Sequence, residues 1–174
     1  DGVGVTDATA VSLTIDNASD LGIGSDSTGL LNRLTGSIDE VRISNSRRYT
    51  GTFNVPSAAF SDDVNAMALY HFDGCIVKDA SANGLHGSLS TTTANNPTGT
   101  AGGKFGNGLT FGGAKRVSIA DDPQLDFGAA TDFTIEAWIK TSSGSDGDII
   151  VKRASDAATT GYLIKYNGIA GTVS

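Results

Sequence analysis

The chain has 174 residues, a length that suits one medium domain or a domain and a half. Glycine, serine and threonine make up 60 residues, and the acids are 17 aspartates but only two glutamates; because aspartate favours turns and glutamate favours helix interiors, an all-helical protein is excluded. The net charge of −7 argues against a nucleic-acid partner, and no apolar run approaches the roughly 20 residues of a membrane helix.

The periodic segments are short and have the two-residue period of β-strands. Clusters of glycine, asparagine, aspartate and serine separate them and predict turns. In chain order the predicted strands are the alternation at Val11, Leu13 and Ile15, the segments 38–43 and 67–72, Val117 with Ile119, and the segments 133–140, 149–151 and 162–166. Many short strands with frequent turns indicate a β-sandwich or jelly roll.

Two of these segments differ in how cleanly they alternate. In 38–43 the phase is mixed, because Ile38 shares a face with Glu40 while Val41 lies on the other, so one face of this strand is expected to be partly polar. In 133–140 the apolar residues face one way, and Glu136 and Trp138 face the other.

The composition changes near residue 74. Residues 1–75 hold ten acids and four bases, whereas 76–174 hold nine acids and eight bases. Just before the change, Pro56 fixes its own φ and favours extended geometry at the preceding residue, so 55–66 is predicted to be an extended connector. The sequence therefore predicts two unequal pieces, 1–54 and 67–174.

An ordered series of motifs runs along both pieces: GSIDEVRIS at 36–44 with RYTGTF at 48–53, then DASANGLHG at 79–87, KFGNGLTFGG at 104–113 and DFTIEAWIK at 132–140. The first motif resembles the closing strand of laminin G-like, concanavalin A-like jelly-roll domains, of the kind found as tandem repeats in phage tail and bacterial surface proteins. Residues 1–3 resemble the hairpin before that strand. The later motifs resemble the opening half of the next such domain.

The resemblance implies an all-β, antiparallel jelly-roll sandwich that is out of register. Residues 1–54 would be the C-terminal part of one sandwich and 67–174 the N-terminal part of another. Two interpretations stay open. The chain is a piece of a tandem array, or it is a permuted unit whose pieces fold on each other or pair with pieces of neighbouring chains.

No catalytic constellation is expected. Asp39 and Glu40 are adjacent, so they point to opposite faces of a strand, and Glu136 has no carboxylate two residues away on either side. Glycoside hydrolysis needs two carboxylates roughly 5–10 Å apart. A serine triad would need His71 or His86, and there is no nucleophile elbow. The sequence predicts that the protein is not an enzyme.

Calcium is the one cofactor predicted. The loop 79–86 offers a carboxylate, an amide oxygen and free carbonyls, which are the hard donors that calcium takes. In the resembled family a calcium ion ties such a loop to the rim of the sandwich, which implies Asp79 and Asn83 as ligands, with Asp39 as a third. The alternative is that Asp79 and Asn83 only shape turns.

Trp138 beside Glu136 is the predicted ligand-binding pair, since an exposed tryptophan can stack on a sugar. The alternative is that Trp138 packs beneath a flanking strand or loop.

The function predicted from the sequence is a non-catalytic structural or adhesive module of an extracellular, cell-surface or virion-surface assembly. A single cysteine, Cys75, excludes an internal disulfide and fits a surface protein that does not rely on one. The expected partners are other copies or neighbouring repeats, joined by shared strands, with neither nucleic acid nor membrane insertion. The alternative is a calcium-dependent carbohydrate-binding module that binds glycans.

Overall fold

The structure, a computed structural model, describes residues 15–26, 32–74, 77–90, 92–128, 130–155, 158 and 160–174. Within these residues it contains two antiparallel β-sheets and two short 3-10 turns, which confirms the prediction of an all-β sandwich. The described part of the chain contains no helix that is long and apolar enough to cross a membrane. The predicted hairpin at 1–3, the strand residues Val11 and Leu13, and Cys75 lie outside the described residues.

Eleven strands are described. In chain order they are β1 Leu21–Ile23, β2 Gly36–Ser44, β3 Ala66–Tyr70, β4 Gly87–Leu89, β5 Thr98–Ala101, β6 Asn107–Phe111, β7 Val117–Ile119, β8 Thr134–Lys140, β9 Gly147–Lys152, β10 Tyr162–Asn167 and β11 Thr172–Val173. The first sheet has the order β11-β10-β9-β1-β7-β4. Its central strands direct alternate apolar side chains into the core, for example Val117 and Ile119 of β7.

The second sheet is built around β2. The start of β2 pairs with β6 and its end pairs with β3, while β5 extends the sheet beyond β6. Strand β8 runs along the other edge of β2, with Lys140 opposite Ser37 and Thr134 opposite Ser44. Among the described residues β8 pairs with no other strand, so its second edge is open.

The core lies between the two sheets and takes side chains from both. Its fully buried members include Leu21, Ile23, Ile38, Val41, Ile43, Leu109, Val117, Ile119 and Ile150. Ile135, Ala137 and Ile139 of β8 pack against this core but are only half-buried, as expected for an edge strand. The structure thus confirms that the apolar residues of β8 face the core, as the sequence pattern predicted.

The first and second predicted pieces share both sheets. Strand β1 lies between β7 and β9, and β2 lies between β8 on one side and β3 with β6 on the other. Residues 45–65 contain no strand and cross from β2 to β3. The described parts of the two pieces therefore fold on each other in one sandwich.

A β-bulge interrupts β2. Trp138 pairs with Asp39 and Glu136 pairs with Arg42, so two residues of β2 lie opposite one residue of β8. Glu40, at the bulge, has a φ of 52°, which residues other than glycine rarely adopt.

The bulge explains the mixed phase of the sequence pattern. The extra residue shifts the alternation, so Ile38, Val41 and Ile43 all reach the core and are 0% exposed. Asp39 and Arg42 correspondingly lie on the outer face, opposite Trp138 and Glu136. The polar face expected from the sequence is present, but a bulge creates it, which simple alternation did not predict.

Glu40 itself is buried and bonded. Its side chain is 0% exposed, and its two oxygens lie 2.7 Å from the backbone nitrogen of Phe60, which donates, and 2.8 Å from Nδ1 of His71. Because Phe60 belongs to the 45–65 segment and His71 follows β3, one carboxylate ties both to the bulge.

We expect Glu40→Ala to lower the free energy of unfolding by about 3 kcal/mol, because it leaves the buried N–H of Phe60 without an acceptor. Glu40→Gln keeps an acceptor and is expected to lose less. Urea denaturation measures both, with the exposed Asp62→Ala as control. Equal stability of Glu40→Ala and the wild type would show that this carboxylate does not hold the bulge.

Candidate functional site

The predicted calcium loop is closed by its own hydrogen bonds. Asp79 is 2% exposed, and its Oδ1 accepts from the backbone nitrogens of Leu69 and Ser81, both at 2.9 Å. Its Oδ2 accepts from the hydroxyl of Ser81 and the backbone nitrogen of Leu85, both at 2.8 Å. The bond from the Ser81 nitrogen is the Asx-turn that the alternative interpretation expected.

The residues of this loop do not fit a calcium ion as they are folded. A carboxylate offers about four lone-pair sites, and donors from the protein fill all four of them at Asp79. The side-chain nitrogen of Asn83 donates to the carbonyls of Ala66 and Met67, each at 3.0 Å. No three His, Cys, Asp or Glu side chains among the described residues are grouped to hold a metal. Calcium binding at this loop stays a prediction that the geometry does not favour.

We expect the melting temperature to differ by less than about 1 °C between calcium chloride and EDTA, because a ligand stabilises only a fold that binds it. Differential scanning calorimetry of the full chain measures this. A melting temperature that rises with calcium concentration would mean that the ion replaces N–H donors at Asp79, and would restore the calcium prediction.

The third predicted ligand, Asp39, lies in a different place, on the outer face of the second sheet. It is 4% exposed, and its Oδ2 accepts from the backbone nitrogen of Phe105 at 2.9 Å. Its Oδ1 is buried and has no hydrogen-bond partner among the described residues. Burial, with a smaller contribution from the charge of Asp73, raises the pKa of Asp39.

Trp138 is the neighbour of Asp39 across β2 and β8. The ammonium of Lys104 lies 4.4 Å from its ring centroid, and the ring of Phe105 meets it edge-on at 5.9 Å. Its Nε1 is buried without a hydrogen-bond partner among the described residues. The 104–105 loop therefore packs on this tryptophan, while the rest of the half-buried ring lines a groove.

That groove, which we call the face groove, has a volume of about 730 Å³. Its floor is formed by residues of β2, β6 and β8, and its walls by residues 100–104 and 141–142. Hydroxyl side chains line much of it: Thr35, Ser37, Thr100, Thr110, Thr141 and Ser142. The face groove brings Asp39, Trp138 and Lys104 together but contains neither Asp79 nor Asn83.

Glu136, the second predicted ligand-binding residue, forms ion pairs with two arginines. Its side chain is 9% exposed, and Oε2 lies 2.7 Å from Nη2 of Arg42 and 3.6 Å from Nε of Arg48. The hydroxyl of Tyr49 donates to Oε1, and burial together with this bond raises the pKa of Tyr49 to about 12. Arg48 also pairs with Asp63 and lowers the pKa of that carboxyl to about 2. Glu136 thus anchors the 45–65 segment to β8.

A second groove, which we call the edge groove, runs along the open side of β8. It has a volume of about 330 Å³ and is lined by Tyr49, Phe53, Val55, Pro56 and Phe60 together with residues 134–138. Residues of β8 line this groove and residues of its partner β2 do not, which places the groove toward the unpaired side of β8. The rings of Tyr49 and Phe53, stacked at 3.9 Å, form part of its far wall.

The sequence analysis identified Asp39, Trp138 and Glu136 but not Lys104, Arg42 or Tyr49. No local pattern marks these three, since each acts on a residue that is distant in the chain. Neither a protein-family model, nor a curated protein, nor a solved structure matches the chain. The functional argument therefore depends on the two grooves.

Proposed function

We propose that the protein is a non-catalytic structural or adhesive module that joins other copies of itself through a strand added at the open edge of β8. The edge groove carries this proposal, because it lies where an added strand would lie. An edge strand presents unpaired N–H and C=O groups and is a template for another strand. The acidic, nearly cysteine-free composition supports an extracellular or particle-surface location.

The side chains along this edge support strand addition. Ile135, Ala137 and Ile139 pack on the core but remain half-buried, and Phe133 is 36% exposed. On the other face, Tyr49 and Phe53 stand beside the same edge. A strand added here would bury apolar surface on both faces of the sheet. Such burial stabilises the complex by roughly 25 cal/mol per Å² of apolar surface removed from water.

The occupant that we propose is a strand of a second copy. Residues 11–14 alternate valine and leucine with serine and threonine, which matches an apolar inner face and a polar outer one, while Ile15 packs against the core of its own copy.

The ion pairs of Glu136 support a non-catalytic role. A general acid or nucleophile must be free to reach a substrate, whereas this carboxylate is bound by Arg42, Arg48 and Tyr49.

We expect light scattering of the full chain to give a mass that rises from 17.7 kDa as concentration increases. Ala137→Lys places an inward-pointing charge on the edge strand, where the half-buried position lets the lysine reach solvent, and is expected to hold the protein at the monomer mass. The matched control is Ala101→Lys on β5, at the far edge of the same sheet, which should assemble like the wild type.

A wild-type protein that stays monomeric at all concentrations would overturn strand sharing between copies. Assembly that both variants block, or that neither blocks, would place the contact elsewhere. If Ala137→Lys fails to fold, hydrogen exchange of the wild type decides: protection of the β8 amides must increase with protein concentration.

The face groove favours a second candidate, a carbohydrate-binding module. Asp39 Oδ1 lacks a donor and Trp138 Nε1 lacks an acceptor, and a hydroxyl group can serve both. Both atoms are buried beneath the 104–105 loop, so a hydroxyl would reach them only when that loop moves. The hydroxyl-lined walls and the tryptophan are suited to a sugar.

Trp138 is the only tryptophan in the chain and lines both grooves, so the Asp39→Asn variant is needed to assign a change in its fluorescence to the face groove. We expect cellohexaose, chitohexaose or polygalacturonate to cause a saturable change in emission, measured with calcium and with EDTA. Asp39→Asn should weaken binding about tenfold or more because a charged acceptor is lost. Asp62→Asn, on the 45–65 segment, is the control. If no probe gives a saturable change, or if Asp39→Asn binds as the wild type does, the carbohydrate proposal is wrong.

A further inference from the structure

Lys152 is a fully buried lysine at the end of β9. Its side chain is 0% exposed, and its Nζ lies among four oxygen atoms. Two are main-chain carbonyls, of Asn17 at 2.7 Å and Ser19 at 3.1 Å. The other two are carboxylate oxygens, of Asp121 at 2.6 Å and Asp126 at 2.8 Å. Hard oxygen donors thus converge on one positive charge inside the protein.

Other contacts hold these oxygens in place independently of the ammonium. The side-chain nitrogen of Asn17 donates to the main-chain carbonyl of Lys152 at 3.1 Å, and the backbone nitrogen of Ser19 donates to Asn17 Oδ1 at 2.9 Å. These bonds fix the 17–19 turn against β9. The backbone nitrogen of Asp121 donates to Asp20 at 3.1 Å, which positions the second segment.

We infer that this cluster is a cation site whose resident ion is the ammonium of the chain's own Lys152. Two carboxylates and two main-chain carbonyls are oxygen donors of the kind that a divalent-metal site uses. The ammonium donates its three N–H groups to Asn17, Ser19 and Asp121, and Asp126 Oδ1 lies 2.8 Å away but is buried without a hydrogen-bond donor among the described residues. The oxygens would need to approach by only a few tenths of an ångström to reach the roughly 2.3–2.6 Å of calcium.

The net charge of the cluster also supports a cation site. One ammonium against Asp121 and Asp126 leaves one negative charge uncompensated, whereas a divalent ion would neutralise both. The side chain of Asp121 is 34% exposed, so an ion could enter from that side. The lysine therefore joins three segments, 17–19, 121–126 and β9, in the way that a structural metal ion would. This inference concerns neither groove and is independent of the proposed function.

The test removes the ammonium and supplies a metal ion. We expect Lys152→Met in EDTA to lower the melting temperature by about 10 °C, because two carboxylates and two carbonyls then face each other without a cation. Calcium chloride at about 10 mM should recover at least half of this loss in the variant and change the wild type by less than about 1 °C. Magnesium should recover less, because it demands a smaller, octahedral site.

The control is Lys165→Met, which removes a partly exposed lysine paired with Asp146 at 3.0 Å. It should show no calcium dependence. Lys152→Ala, which leaves more room for a hydrated ion, is the second variant in case methionine blocks the cavity. The inference is wrong if calcium stabilises neither Lys152 variant. This holds whether the calcium-free variant is folded or unfolded. The inference is also wrong if Lys165→Met shows the same calcium response.

Discussion

The bulge at Glu40 is the constraint on which the second sheet depends. Strict alternation would put Ile38 and Ile43 on opposite faces of β2, and one of them would then leave the core. The extra residue brings both inward with Val41, at the cost of an unfavourable φ of 52°. The bonds from Glu40 to Phe60 and His71 offset that cost and fix the 45–65 segment and the end of β3.

The same bulge sets which charged side chains of β2 lie beside the two residues of β8 that line the grooves. It turns Asp39 and Arg42 outward together, and the register then places Asp39 beside Trp138 and Arg42 beside Glu136. The first pair forms part of the floor of the face groove. The second pair draws in Tyr49, whose segment forms the far wall of the edge groove. One inserted residue in β2 therefore determines which charged residues of β2 pair with Trp138 and Glu136 of β8.

The sequence predicted what local pattern determines, namely the alternation of β8 and the two-sheet architecture. It left 38–43 ambiguous, because the bulge depends on partners such as Phe60 and His71 that follow 20 and 31 residues later. For Asp79 the sequence left two interpretations open, an Asx-turn and a metal ligand, since both use the same residue types. It did not identify Lys152, whose ammonium binds a carbonyl 135 residues away.

The buried charges of this protein differ in how completely the fold supplies partners for them. Glu136 has two arginines and a tyrosine, and Lys152 donates to three of the four oxygens around it, so both charged groups have partners within the fold. Asp39 receives a backbone hydrogen bond on one oxygen and has no cation within ion-pair distance among the described residues, and burial raises its pKa. A buried carboxylate oxygen without a donor is unfavourable by about 1–3 kcal/mol. That free energy becomes available to any molecule that supplies the missing donor. This unsatisfied oxygen is the observation behind our second candidate function, a carbohydrate-binding module at the face groove.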